Sequence, residues 1–217
     1  PDDTVTVYHY GQIGQWADTP PNSALGNIQG PGLYTHTDEA FVAQHSASRT
    51  DGAMTSFSVP KSVVAERTLD MAAPVDARAR RIAAAMEEAF VREVGSPSGV
   101  EFPAYAPTFM VARTSLVDDY ARALRKARGI DDSATTGQLD DISFEAQARW
   151  GEAVKSQGYA GTRLARDGGD EVLWLEDPRS FAAASKTPEP IATSTAPDVV
   201  PAWDGGPALF HGTSNRF

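Results

Sequence analysis

Several short segments of the chain show apolar and polar positions that alternate with a two-residue period, which is typical of β-strands. The predicted strands lie at residues 4–10, 33–37, 54–59, 108–112, 162–165 and 171–175. Residues 11–32 hold five glycines, a Pro-Pro pair and two asparagines, a composition that favours a loop. The sequence Arg-Asp-Gly-Gly-Asp at 166–170 favours a tight turn between the last two strands.

Other segments repeat apolar residues at three- and four-residue spacing, which is typical of amphipathic helices. The predicted helices lie at residues 38–48, 74–94, 116–128 and 144–157. Thr37 or Asp38 can cap the first helix, Pro74 suits the first turn of the second, and Ser115 begins a capping signature for the third. The polar stretch at 131–141 is predicted to be a loop. This mixture of strands and helices predicts an α+β domain.

The last part of the chain has a different composition. Residues 182–208 are rich in Ala, Pro, Ser and Thr, and such a segment buries too little apolar surface to fold alone. We therefore predict one domain over residues 1–181, a linker over 182–208 and a tail over 209–217.

The overall composition is that of an ordinary globular protein, with 41% hydrophobic and 22% charged residues. The chain has 217 residues and a net charge of -10, which does not favour general attraction to nucleic acid or to anionic membranes. It has no cysteine, which excludes disulfides and thiolate metal sites. No apolar run is long enough to span a bilayer. The lack of an initiating methionine predicts that the chain begins inside a longer reading frame or after processing.

Four motifs stand far apart in the chain. They are Val-Tyr-His-Tyr-Gly at 7–11, Gly-Pro-Gly-Leu-Tyr-Thr at 30–35, Gly-Tyr-Ala-Gly at 158–161 and Asp-Glu-Val-Leu-Trp-Leu at 170–175. In this order they resemble the histidine-tyrosine-glutamate branch of the ADP-ribosyltransferases, which includes diphtheria toxin and the poly(ADP-ribose) polymerases. The resemblance covers residues 5–60 and 144–181. It implies a split, mixed β-sheet core with flanking helices, and NAD as the substrate.

The resemblance also implies three catalytic residues. His9 would hold the ribose on the adenine side of NAD, Tyr34 would pack against the nicotinamide, and Glu171 would bind the nicotinamide ribose and orient the acceptor. Such an assembly suits the chemistry, since cleavage of the glycosidic bond passes through a sugar cation that a carboxylate stabilises. His9 taken alone also fits an ordinary strand histidine.

Five further residues are expected around NAD by the same resemblance. Tyr10 and Gly11 would bind the carboxamide through their main chains, although the family often has Gly where Tyr10 stands. Thr35 stands where the family commonly has Phe, and Phe41 and His45 lie one helical turn apart and could approach the nicotinamide ring.

The function implied is that of an NAD-dependent mono-ADP-ribosyltransferase acting on a macromolecule of a host or competitor, as in phage and mobile-element proteins. A protein acceptor is favoured over nucleic acid because the chain is acidic. Arginine as the acceptor is disfavoured, because Gly169 stands where arginine-specific members carry a second glutamate. The alternatives are an NAD glycohydrolase using the same site, and a catalytically degenerate binding or packaging module.

Two further features of the sequence offer other candidate residues. The segment Leu-Phe-His-Gly-Thr-Ser at 209–214 resembles the family's first strand motif. It predicts the start of a second similar domain, and it leaves open chance similarity or a role for His211 in place of His9. His36 and His45 could share a metal with Asp38, but they are weak candidates because their spacing straddles the predicted junction between a strand and a helix.

Overall fold

The computed structural model describes residues 3–11, 31–46, 53–131, 134–166 and 168–181. The predicted loop at 11–32, apart from its ends, lies outside these residues, as do the predicted linker at 182–208 and the tail with His211.

The described residues form six β-strands. Their bounds are β1 Thr4–Gly11, β2 Leu33–His36, β3 Ala53–Pro60, β4 Thr68–Asp70, β5 Gly161–Arg166 and β6 Gly169–Trp174. They make one sheet in the order β3-β1-β2-β6-β5-β4. Neighbouring strands are antiparallel except β4 and β5, which are parallel. The sheet is therefore mixed.

The same residues form five α-helices and one short 3₁₀ turn. Their bounds are α1 Glu39–Ser46, α2 Lys61–Glu66, α3 Ala77–Val94, α4 Phe109–Ala127, α5 Thr136–Ser156 and the turn Pro178–Ser180. Together with the mixed sheet, they confirm the predicted α+β class.

The two faces of the sheet differ in what covers them. The Trp174 face carries a compact apolar cluster that α2 and Phe181 help to cover; it consists of Val7, Leu33, Phe57, Val59, Val64, Val172 and Trp174. The opposite face, which we call the α1 face, carries Tyr8, Tyr34, His36 and Glu171. Helix α1 packs over β1 and β2 on this face. Leu164 on β5 faces the same way and packs against the larger core formed by α3, α4 and α5. Glu171 thus stands on the sheet between α1 and the three long helices.

The helix predicted at 74–94 begins later than expected. Helix α3 begins at Ala77 rather than at residue 74, because the side chain of Asp76 accepts a hydrogen bond from the amide of Arg78 and caps the helix. Pro74 instead pairs with Thr108 in an isolated bridge.

The predicted strand at 108–112 is wrong. Thr108 caps α4, since its hydroxyl accepts a hydrogen bond from the amide of Val111, and the helix begins seven residues before the predicted start at 116. Burial explains the difference: Phe109, Ala112 and Leu116 form an apolar stripe that packs in the helical core.

The predicted loop at 131–141 is also wrong over its second half. Helix α5 begins at Thr136, behind a capping box in which Thr135 and Gln138 satisfy each other's backbone amides. The first two turns of α5 are largely exposed, so they lack the apolar period that indicates a helix. Helix α2 and strand β4 were not predicted.

Candidate functional site on the central strands

The three predicted catalytic residues lie on three strands that are neighbours in the sheet. His9 is on β1, Tyr34 on β2 and Glu171 on β6, and these strands are adjacent in the order β1-β2-β6. The two loop-separated N-terminal motifs and the C-terminal motif are therefore brought side by side by long-range strand pairing.

The strand register decides which side chains share a face. Tyr8 lies opposite His36, and His36 lies opposite Glu171, so these three side chains form a row on the α1 face. Tyr34 lies opposite Leu173, which makes it a diagonal neighbour of Glu171 on that face, about 7–8 Å away between backbones.

His9 lies on the other face. It follows Tyr8 in the strand and pairs with Thr55, so alternation directs its side chain to the Trp174 face with Val7. Its Nδ1 is 2.7 Å from the carbonyl oxygen of Tyr34. A carbonyl can only accept, so Nδ1 carries the proton and donates it. His9 thus binds the main chain of the tyrosine-bearing strand rather than sharing a face with Glu171.

Gly11 is required by this arrangement of His9. Its φ of 144° is one that other residues rarely adopt, and a Cβ there would lie 2.8 Å from Nε2 of His9. Gly11 therefore serves local geometry, in addition to the carboxamide binding that the resemblance implies for Tyr10 and Gly11. Tyr10 is half-buried, and alternation places it on the α1 face with Tyr8.

Thr35 has a structural position on the Trp174 face. It is 4% exposed, and its hydroxyl accepts a hydrogen bond of 2.9 Å from Nε1 of Trp174. The same hydroxyl donates to the carbonyl of Val172 at 3.3 Å. Both bonds tie β2 to β6, and they account for Thr35 by packing alone; its contact with NAD stays a prediction.

Phe41 and His45 stand over the α1 face in a stack of three rings. The Phe41 ring lies between His36 and His45, with centroid distances of 4.1 Å and 3.9 Å. Nδ1 of His45 donates to the carbonyl of Phe41 at 2.7 Å. The face of Phe41 nearest the sheet is therefore already covered by His36, so a nicotinamide ring would have to meet another part of this stack.

Glu171 is partly accessible and forms an ion pair with an arginine. Its side chain is 19% exposed, and its carboxylate is 3.4 Å from Nε of Arg166 on the neighbouring strand β5. Arg163, three residues earlier on β5, pairs instead with Asp70 and Asp170.

His36 is a residue of this site that the resemblance does not place near NAD. It is 3% exposed, and its Nδ1 accepts a hydrogen bond of 2.9 Å from the amide of Asp38. Burial lowers the pKa of His36 below its usual range, although the carboxylates of Asp38, Glu171 and Asp170 oppose that effect. Its position two residues after Tyr34 in a strand is the signal that predicts a shared face.

Arg113 of α4 is a second missed residue near the tyrosine. It is 6% exposed, and burial lowers its pKa while Tyr34 and Asp118 act in the opposite direction. The α1 face therefore brings a phenol, an imidazole and a carboxylate together beside a buried cation.

Within the described part of the chain, no group of three or more histidine and acidic side chains is arranged to hold a metal ion. No helix of that part is long and apolar enough to cross a bilayer.

Comparisons with known proteins were made at three levels. No protein-family model, no curated protein and no solved structure matches this chain. What the molecule does must therefore be argued from its own strands and side chains.

Proposed function

We propose that the chain is an NAD-dependent mono-ADP-ribosyltransferase that modifies a host or competitor macromolecule. The observation that carries the proposal is the pairing of the three motif strands side by side, with Tyr34 and Glu171 as diagonal neighbours on one face. This is the relation that the resemblance requires of strands separated by more than a hundred residues. The same proposal assigns the six-stranded sheet to the ADP-ribosyltransferase-like fold.

The chemistry follows from the substrate. The bond between the ribose carbon and the nicotinamide nitrogen breaks, and the electron pair leaves with nicotinamide, which becomes neutral. The sugar is left with positive character, and a nucleophile of the acceptor attacks it and loses its proton to the surroundings. A carboxylate such as Glu171, 19% exposed at the boundary between two helical layers, stabilises that positive character.

His9 supports this scheme differently from the expectation. Its Nδ1 holds the carbonyl of Tyr34 from the Trp174 face, so in this scheme it orients the strand that carries the tyrosine. The resemblance implies that His9 contacts the adenine-side ribose. For that contact, NAD would have to extend beyond the α1 face and reach the end of β1.

The decisive experiment measures nicotinamide release from NAD by the wild type and by Glu171→Gln. Removing the charge while keeping the shape is expected to lower turnover about 100- to 1,000-fold, with NAD binding partly retained. Glu176→Gln is the matched control, because Glu176 follows the same strand and pairs with Arg67 at 3.7 Å. Unchanged turnover in Glu171→Gln would remove the proposed mechanism.

Transfer and hydrolysis are separated by the fate of the ADP-ribose. Labelled NAD is incubated with the protein and a cell lysate, and label in macromolecules is compared with free ADP-ribose. Label that appears only as free ADP-ribose would identify an NAD glycohydrolase at the same site.

A binding or packaging module of the same fold is the second candidate. Two observations favour it: the His9 ring lies on the opposite face from Glu171, and Phe41 is enclosed between two histidine rings. Calorimetry with NAD distinguishes the two, since the module would bind no NAD.

A further inference from the structure

The starting observation is a buried donor on His36. Its Nδ1 accepts the amide of Asp38, so the neutral ring carries its proton on Nε2. That Nε2 is buried and has no hydrogen-bond partner among the residues that the structure describes. A buried N–H without an acceptor costs free energy, so its retention asks for an explanation.

Glu171 is a candidate acceptor for this N–H. It lies directly opposite His36 in the register of β2 and β6, and cross-strand pairs of this kind have Cβ atoms about 4.5–5.5 Å apart. The carboxylate at present faces Arg166 at 3.4 Å, which is longer than a strong charge-assisted hydrogen bond. Rotation of the Glu171 side chain alone moves the carboxylate from one neighbour towards the other.

We infer that His36 positions Glu171: the carboxylate exchanges between Arg166 and the Nε2–H of His36, and the position held by His36 is the one used in the reaction. This inference rests on the proposed function. His36 acts through Glu171 and touches no reacting atom, so it is a positioning residue.

Charge explains why the two partners are not equivalent. The guanidinium of Arg166 cancels the charge of the carboxylate and would repel a sugar that gains positive character. A neutral imidazole N–H orients the carboxylate and leaves its negative charge intact. Burial keeps His36 neutral at its place between the sheet and α1.

Other groups around His36 are already committed or not acceptors. The Phe41 ring stacks on one side of it. Asp38 caps α1 through the amide of Ala40, and Asp170 pairs with Arg163. Tyr8, opposite His36 on β1, interacts with Glu39, which with burial raises the pKa of that phenol. Glu171 is thus the carboxylate that lies in register with His36, and its ion pair with Arg166 spans 3.4 Å.

Two substitutions of His36 separate positioning from packing. His36→Phe keeps the ring stack on Phe41 but removes the donor. His36→Gln loses the ring but keeps an amide N–H at the same number of bonds from the backbone. For positioning, we expect kcat for nicotinamide release to fall about 10- to 100-fold in His36→Phe, with KM for NAD little changed, and to be largely rescued in His36→Gln. A merely structural role gives the opposite order, and that order would overturn the inference.

A second measurement does not depend on turnover. The imidazole of His36 is titrated by NMR in wild type, in Arg166→Gln and in Arg166→Gln combined with Glu171→Gln. Release of the carboxylate from Arg166 is expected to raise the pKa of His36, and loss of the carboxylate to reverse this. Arg122→Gln, which removes a surface partner of Asp119, is the control and should have no effect.

The kinetic experiment and the titration distinguish failure of the proposed function from failure of the inference about His36. Absence of nicotinamide release from the wild type would refute the proposed function, and the titration would still decide whether His36 and Glu171 interact. A His36 pKa that does not respond to Arg166→Gln, or responds equally without Glu171, would refute the inference even in an active enzyme.

Discussion

Thr35 provides the sharpest test of how the site is built, because the sequence and the structure give it different roles. The resemblance implies a residue near NAD, whereas the structure buries its hydroxyl between Trp174 and Val172 on the opposite face. We consider Thr35→Val, which keeps the shape of the side chain and replaces the hydroxyl by a methyl group.

The magnitude follows from the groups that lose their partner. Trp174 is fully buried, so its Nε1–H would be left without the acceptor that Thr35 now supplies. An unsatisfied buried donor costs about 1–3 kcal/mol of the free energy of unfolding. For a domain of this size, that corresponds to a decrease in Tm of about 2–12 °C.

The assay is urea unfolding followed by tryptophan fluorescence, with NAD binding measured by calorimetry on the same samples. Thr114→Val on the exposed side of α4 is the matched control, and its expected cost is within about 0.5 kcal/mol. Thr35→Ser keeps the hydroxyl and should retain the acceptor for Trp174.

The refuting result is equally specific. If Thr35→Val unfolds like the wild type but loses NAD affinity, then the hydroxyl serves the ligand and the described packing of β2 on β6 is not what it does. Reduced stability with NAD affinity retained supports the structural role.

Two further predictions concern the frame around the site. Gly169→Ala should destabilise the domain and disturb His36, because the added Cβ would lie 2.5 Å from the hydroxyl of Thr37 and 3.1 Å from the imidazole; Gly137→Ala, with open space around it, should be neutral or stabilising by thermal unfolding. Glu87→Gln should reduce the dependence of stability on acidic pH. Burial alone would raise the pKa of Glu87, but hydrogen bonds from Ser98 and Tyr120 outweigh it and hold the pKa below its usual 4.5. A lowered folded-state pKa stabilises above the unfolded value and is lost as pH falls through the folded value. Urea midpoints between about pH 3 and 6 should therefore fall less steeply for the variant, and parallel curves would contradict this account.

The strands near the site were predictable because their signals are local. The alternation at 4–10 and the Gly-rich turn at 166–170 indicate β1 and the β5–β6 hairpin without knowledge of the rest of the fold. The Gly-Tyr-Ala-Gly segment likewise ends α5 and precedes β5, with Gly158 at a φ of 86°.

The helical half of the domain was less predictable, since its signals compete. Thr108 and the apolar residues after it suit a strand by propensity, but burial of Phe109 and Leu116 in one core with residues of α3 and α5 favours a helix. The exposed start of α5 has no apolar period, so only the capping residues Thr135 and Gln138 indicate where it begins.

The sequence by itself determined which residues alternate, and hence that a histidine, a tyrosine and a glutamate each stand in a strand. Only the tertiary structure decided that His36, rather than His9, shares a face with Glu171. The physical reason is that a face is set by hydrogen-bond register between β1, β2 and β6, and a shift of one residue in that register would reverse every side chain. No local pattern specifies a pairing between residues 36 and 171.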